Sequence, residues 1–271
     1  MCLIDDFFLD QERVRKVVKN KIESELHFDF AARQAIEGVK TGSDAEIAVV
    51  KWMEHYGVVQ GFTKETRSRL AQALINQSSE IKHDLTPSIR DRHAAITTIC
   101  NSVEGVKRKN KKNGKEKDRE CTSLVSKLLW LLHPHKVPIF DSRAWRAINV
   151  IARIVDKAET PDPEDKSSFR LKEYCAFLKL HEICFSHLYN SIQKIVAKEF
   201  DTIFSGAEQQ NGGVAKQDAA NQYANYMTVI DQMLWHLGGA IPVDGCYTLT
   251  AKKKSATKST KSVTSVRSPA R

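Results

Sequence analysis

The chain of 271 residues is 41% hydrophobic and 28% charged at a net charge of +9, a balance that excludes disorder over most of its length and implies a conventional buried core. No apolar run reaches the roughly 18 residues that span a bilayer, because Asp5 and Asp6 break the first stretch and Lys136 ends the longest. Cys2, Cys100, Cys121, Cys175, Cys184 and Cys246 show no CxxC spacing and no signal peptide precedes them, so a reducing compartment is expected, cytoplasmic (nucleoid-associated) or nuclear and not secreted.

In chain order, Val14, Val17, Val18, Ile22 and Leu26 recur at helical steps and predict an amphipathic helix. Ser43 and Glu46 have capping-box spacing ahead of Ile47, Val50 and Met53, with a stop at Gly57. Thr63 is the expected N-cap of a helix carrying Leu70 and Leu74, and Thr86-Pro87 the expected start of one carrying Ile89, His93, Ile96, Cys100 and Val103 up to Gly105. Residues 106–120, "VKRKNKKNGKEKDRE", hold an Asn-Gly pair and read as an exposed loop or hairpin. Ser167 or Ser168 can cap a long helix through Tyr174, Phe177, Leu178, Ile183 and Leu188, and residues 206–213 form a further loop. A last helix carries Tyr223, Tyr226, Met227, Ile230, Met233, Leu234 and Leu237, with Gly238 and Gly239 suited to a left-handed C-cap. No alternating strand pattern and no internal repeat occurs, so the fold class is all-α.

Charge is concentrated in two places. From Lys107 to Arg119 there are eight basic and two acidic residues, and from Lys252 to Arg271 seven basic and none acidic, so removing both segments from the +9 total leaves −4. Two basic runs on an acidic body call for a polyanion partner. Lys107, Arg108, Lys109, Lys111, Lys112 and Lys115 are the candidate phosphate contacts, joined by Arg143 and Arg146 further on. The expected divisions are an N-terminal helical part (1–105), the basic loop (106–120), a second helical part (121–245) and a basic tail (246–271), too poor in apolar groups to order itself when free.

The most informative stretch is the helix "SLVSKLLWLL", residues 123–132. Its leucines and valine cover most of the wheel and leave a narrow stripe of Ser123, Ser126, Lys127 and Trp130, expected to open on a cleft or ligand. Asp141 follows after Pro134 and Pro138, directly before the helix begun by Arg143, Trp145 and Arg146. The segment "SKLLWLLHPHKVPIFDSRAWRAI", and especially "VPIFDSRA", resembles the core of the helix-hairpin-helix base-excision DNA glycosylases, the superfamily of endonuclease III and 8-oxoguanine glycosylase. The resemblance covers about residues 121–155; "IDQMLWHLGG" also resembles the closing helix of bacterial proteins of this fold.

The resemblance implies that Asp141 is the catalytic aspartate of an enzyme that flips and excises a damaged or modified base from double-stranded DNA, in repair or antiviral defence. A carboxylate there stabilises oxocarbenium character on the sugar, and Trp130, Phe140, Trp145 and Ser126 are the candidate base-pocket residues. Lys127, the second candidate catalytic residue, stands nearer Asp141 in sequence than the family's Schiff-base lysine, which implies a monofunctional glycosylase. The segment "RECTSLVS" lacks the family's glycine-rich hairpin. No cofactor motif and no metal-ligand set is present, His133 and His135 lacking further ligand spacing. An aspartate before a helix is also an ordinary N-cap, Lys127 also reads as a snorkelling or paired lysine, and tryptophans are commonly core. The alternative is therefore a non-catalytic helical DNA- or RNA-binding protein.

Overall fold

The computed structural model describes residues 3–82, 88–106, 108–109, 116–117, 121–155, 171–207 and 224–240. The fold is all-α apart from one short ribbon. The helices are α1 (Leu3–Phe8), α2 (Gln11–Asn20), α3 (Leu26–Ile36), α4 (Gly42–His55), α5 (Lys64–Asn76), α6 (Ser78–Lys82), α7 (Ile89–Ser102), α8 (Thr122–Leu132), α9 (Ser142–Val155), α10 (Leu171–Phe185), α11 (Tyr189–Ala207) and α12 (Tyr226–Ala240), with a π-helical turn, Lys21–Glu25, joining α2 to α3. The ribbon pairs β1 (Arg108–Lys109) with β2 (Glu116–Lys117), antiparallel, Arg108 opposite Lys117 and Lys109 opposite Glu116.

Helix α3 packs on α4 and α5, α5 on α7, and α7 on α8, while α9 packs on α10 and α12 and α2 on α11 and α12. The π turn therefore lies where the chain passes from the α11–α12 side to the α4–α5 side. One extra residue in a helical turn rotates the following helix relative to the preceding one, and such insertions are common at functional positions. Here Val14, Val17 and Val18 remain buried on one side of it and Leu26, Ala32, Ala35 and Ile36 on the other.

Several expected helix boundaries hold and several move. The Thr63 hydroxyl accepts the Thr66 N–H at 3.1 Å, the expected cap, and Leu70 and Leu74 are buried. Gly57 and Gly105 adopt positive φ (65° and 89°), as the two expected stops require. The Ser43–Glu46 capping box does not form: α4 already starts at Gly42, and Glu46 instead accepts hydrogen bonds from Ser68 and Gln72 on α5. The face of α4 shifts with it, so Ile47 is exposed while Ala45, Val49, Trp52 and Met53 are buried. Ser88 caps α7 through the Asp91 N–H at 3.4 Å; Thr86 and Pro87 lie outside the described residues. So do Ser167, Ser168, Tyr223, residues 208–213 and the tail.

Toward the C-terminus, the expected long helix ends at Phe185, Leu188 belongs to the turn before α11, and Ile183 is exposed. Gly238 and Gly239 lie inside α12 and not in a left-handed cap. Gly238 is there for proximity, since a Cβ on it would stand 1.9 Å from the Arg143 carbonyl oxygen. A side chain would push α12 off the start of α9. Among the described residues no helix is long and apolar enough to cross a membrane.

Candidate functional site

The site grows out of the end of α8. After the turn at 134–136, the short run Val137–Ile139–Phe140 passes through the core. The Ser126 hydroxyl clamps it, accepting the Phe140 N–H at 3.1 Å and standing 3.0 Å from the Phe140 carbonyl. That clamp turns the next residue, Asp141, back toward α8. Asp141 Oδ1 accepts the Arg143 and Ala144 N–H groups at 2.9 and 3.0 Å, the geometry of an N-cap on α9. Its other oxygen, Oδ2, faces Lys127 Nζ at 3.4 Å, and Lys127 also donates to Ser123 Oγ at 3.2 Å. The side chains of Lys127 and Asp141 are 7% and 13% exposed.

Burial is the main force on Lys127 and holds its proton affinity below that of a lysine in water; Asp141 opposes this and the Lys21 ammonium reinforces it. Asp141 stands at the N-terminal, positive end of the α9 dipole. The arrangement is a fixed carboxylate beside an amine of reduced basicity, the pair only narrowly open to solvent. Such a pair can stabilise a cation forming against Oδ2, and the amine in its neutral form can act as a nucleophile.

The remaining expected site residues separate. Beyond the partly buried Ser123, the expected cleft stripe on α8 is closed: Ser126 is fully buried, Lys127 is 6% exposed and Trp130 1%. Trp130 faces Lys21, whose ammonium lies 4.9 Å from its ring centroid, a cation–π contact inside the protein. Phe140 is fully buried among Tyr174, Phe177 and Trp145, with centroids 5.6, 5.2 and 5.8 Å away. Neither ring has a face open to a flipped base, because both complete the core; Trp145 alone of the three aromatics is only partly buried.

Arg143 lays its guanidinium over the partly exposed Trp235 ring at 4.0 Å, and Arg146 donates from Nε and Nη2 to the Gly238 carbonyl at 3.3 and 3.1 Å. Both arginines thus dock the end of α12 onto α9. Arg108 and Lys109 form β1 of the ribbon, and Lys107, Lys111, Lys112 and Lys115 lie outside the described residues.

Further ionisable residues, absent from the expected set, are buried in the core. Lys21 and Glu25, at the two ends of the π turn, form a buried ion pair; Tyr56 Oη lies 3.0 Å from Glu25 Oε2 and 2.9 Å from Asp29 Oδ2, and Trp52 Nε1 donates to Asp29 Oδ1 at 2.9 Å. Asp231 on α12 is 3% exposed and accepts the Ile139 N–H at 2.7 Å. The signal was present in the spacing: Lys21 follows Val17 and Val18 by four and three residues, and Asp231 falls between Met227 and Leu234 at the same steps. Each is a charge on an apolar face, which must find a partner inside.

No family model, no curated protein and no solved structure matches the chain.

Proposed function

We propose that the protein is a DNA glycosylase-like enzyme that excises a damaged or modified base from double-stranded DNA, with Asp141 and Lys127 at its centre. The observation that carries this reading is the pair itself, a nearly water-free lysine 3.4 Å from a carboxylate pinned at a helix start. In base excision the C1′–N bond breaks with its electrons leaving on the base, which takes up a proton, and positive charge grows on the sugar. A preorganised anion at Asp141 Oδ2 stabilises that charge most where water is excluded. The carboxylate can also orient a water for addition at C1′.

The distance also bears on Lys127. Its position in sequence suggests a lysine one helical turn out of place, yet its Nζ faces Asp141 directly. Burial favours its neutral amine, so addition of Lys127 to C1′ becomes a second branch, in which a Schiff base replaces water addition. Borohydride separates the branches, since it traps only the enzyme–DNA imine. The basic segment 107–119 would supply phosphate contacts, which position the body on DNA without reading sequence.

One observation favours a second reading, a non-catalytic DNA- or RNA-binding module: Asp141 Oδ1 already serves as the α9 cap. The deciding experiment is incubation with duplexes carrying a panel of damaged and hypermodified bases, with abasic sites scored by alkaline cleavage. Product from the wild type and none from Asp141→Asn supports the enzyme; binding without product on every duplex supports the module.

A further inference from the structure

Asp231 is a buried carboxylate on α12, and among the described residues neither of its oxygens forms an ion pair with a lysine. Oδ2 accepts the Ile139 N–H at 2.7 Å, a bond that ties α12 to the run carrying Asp141 across 92 residues of sequence. Oδ1 has no hydrogen-bond partner and lies 3.8 Å from His181 Nε2, which is equally without one. The far ring nitrogen of His181, Nδ1, is 3.2 Å from Tyr189 Oη at the partly buried edge of α11. Asp231 and His181 are 3% and 2% exposed. Two orphaned buried polar atoms this close are matched to each other, and a closure of less than about 1 Å makes them a hydrogen bond.

We infer that Asp231 is a positioning residue of the Lys127–Asp141 site: from α12 it holds the 137–140 run through the Ile139 N–H, and His181 with Tyr189 holds Asp231 in turn. The inference rests on the reading of that site as functional, but the hydrogen bond it uses can be tested without any activity. A carboxylate used in this way serves best as a neutral acid. An anion at Asp231 would compete with Asp141 for the Lys127 ammonium, whereas a carboxyl group still accepts the Ile139 N–H on one oxygen and offers its proton to His181 with the other.

The surroundings favour the neutral form. Burial raises the proton affinity of Asp231 well above that of an ordinary carboxyl, Asp141 adds to this, and the Ile139 N–H, Lys21 and Lys127 oppose it. His181 is held neutral, its pKa driven down to about 3 by burial. The groups that face Asp231 are Lys21 from the π turn, Lys127 from α8, Asp141 and the Ile139 N–H from the run, Tyr174 and His181 from α10, and Tyr189 from α11. Of these, His181 Nε2 is the acceptor placed for its proton. Nδ1 then carries the other hydrogen and donates to Tyr189.

The test compares Asp231→Asn, which keeps an oxygen for the Ile139 N–H, with Asp231→Ser, which is too short to reach it. Amide hydrogen exchange is read at Ile139 and, as a control, at Val49 on the far side of the core. The serine variant is expected to lose about tenfold or more of the protection at Ile139 beyond any change at Val49, while the asparagine variant stays within about threefold of wild type. The Lys127 13Cε titration midpoint is expected to be the same in the asparagine variant as in wild type, because the residue it replaces is already uncharged.

Equal losses in both variants, or none at Ile139 beyond Val49, would overturn the inference, as would a Lys127 midpoint that falls in the asparagine variant. If base release is observed, kcat should fall about tenfold or more in the serine variant with KM little changed, and recover in asparagine. If the wild type releases no base from any duplex, the glycosylase reading fails, and the exchange experiment still decides the role of Asp231.

Discussion

Replacing Asp141 by Asn removes one charge and almost nothing else. Asparagine keeps an oxygen for the Arg143 and Ala144 N–H groups and is as good an N-cap as aspartate. What is lost is the attraction to Lys127, which at 3.4 Å and an effective dielectric near 20 is about 5 kcal/mol gross. Lys127 can escape the loss by giving up its proton, which at neutral pH costs about 4.5 kcal/mol relative to the unfolded chain. The destabilisation at pH 7 is therefore capped at about 4.5 kcal/mol and is expected at roughly 3 to 4.5 kcal/mol, in the range found when one partner of a buried pair is removed.

The pH dependence has a definite sign. Burial holds the proton affinity of Lys127 below that of the unfolded chain, and without Asp141 it falls further. Between the folded pKa and the unfolded one the unfolded chain binds a proton that the folded chain lacks, so stability rises with pH. That window is wider in the variant. The gap between wild type and Asp141→Asn should therefore close on going from pH 7 to 9.5, by up to about 1.4 kcal/mol per pH unit. The double variant Lys127→Met/Asp141→Asn, which has no charge left to strand, should lie within about 1 kcal/mol of wild type. Urea unfolding at the two pH values measures all of this. An Asp141→Asn protein within about 0.5 kcal/mol of wild type at pH 7, with no pH dependence, would refute the charge pairing.

Other substitutions test the packing and the partner. Thr63→Ala should cost about 1 kcal/mol by loss of the cap to Thr66, while Ser43→Ala should be close to neutral because its capping box is not formed; thermal unfolding separates them. Phe140→Ala, in the centre of the aromatic cluster, should cost about 4 kcal/mol in urea unfolding. Gly238→Ala should destabilise by several times as much as Gly239→Ala, whose Cβ would meet only the Arg143 guanidinium at 3.5 Å against 1.9 Å to backbone at Gly238. If about five basic side chains of the 107–119 segment contact phosphates, log K for duplex binding should fall with log salt at a slope of roughly −4.5; a slope near zero would remove the electrostatic partner.

The helices were legible wherever period and cap agreed, as at Thr63 with Leu70 and Leu74, and in the valines of α2. They were less so where a tertiary bond outbid a local one. Glu46 has the spacing of a capping box, but Ser68 and Gln72 on α5 take its carboxylate. The paired glycines of α12 look like a stop because sequence does not show that the Arg143 carbonyl lies against Gly238. In the site, Asp141 and Lys127 were legible from the wheel of α8 and the turn after it. The closed stripe was not: a tryptophan and a serine at helical spacing look the same whether they face a cleft, a buried ammonium or the backbone of Phe140. Lys21 and Asp231 stood on apolar faces in plain view; Lys21 pairs with Glu25 only four residues on, but Asp231 bonds a backbone N–H 92 positions away, which no local pattern shows.

The most direct measurement is base release from modified duplexes by wild type and Asp141→Asn, at a temperature where circular dichroism shows both folded. Abasic product is expected from the wild type, with a loss of about a hundredfold or more in rate without the Asp141 charge. Undiminished release by Asp141→Asn, or duplex binding with no product from any base in the panel, would contradict it.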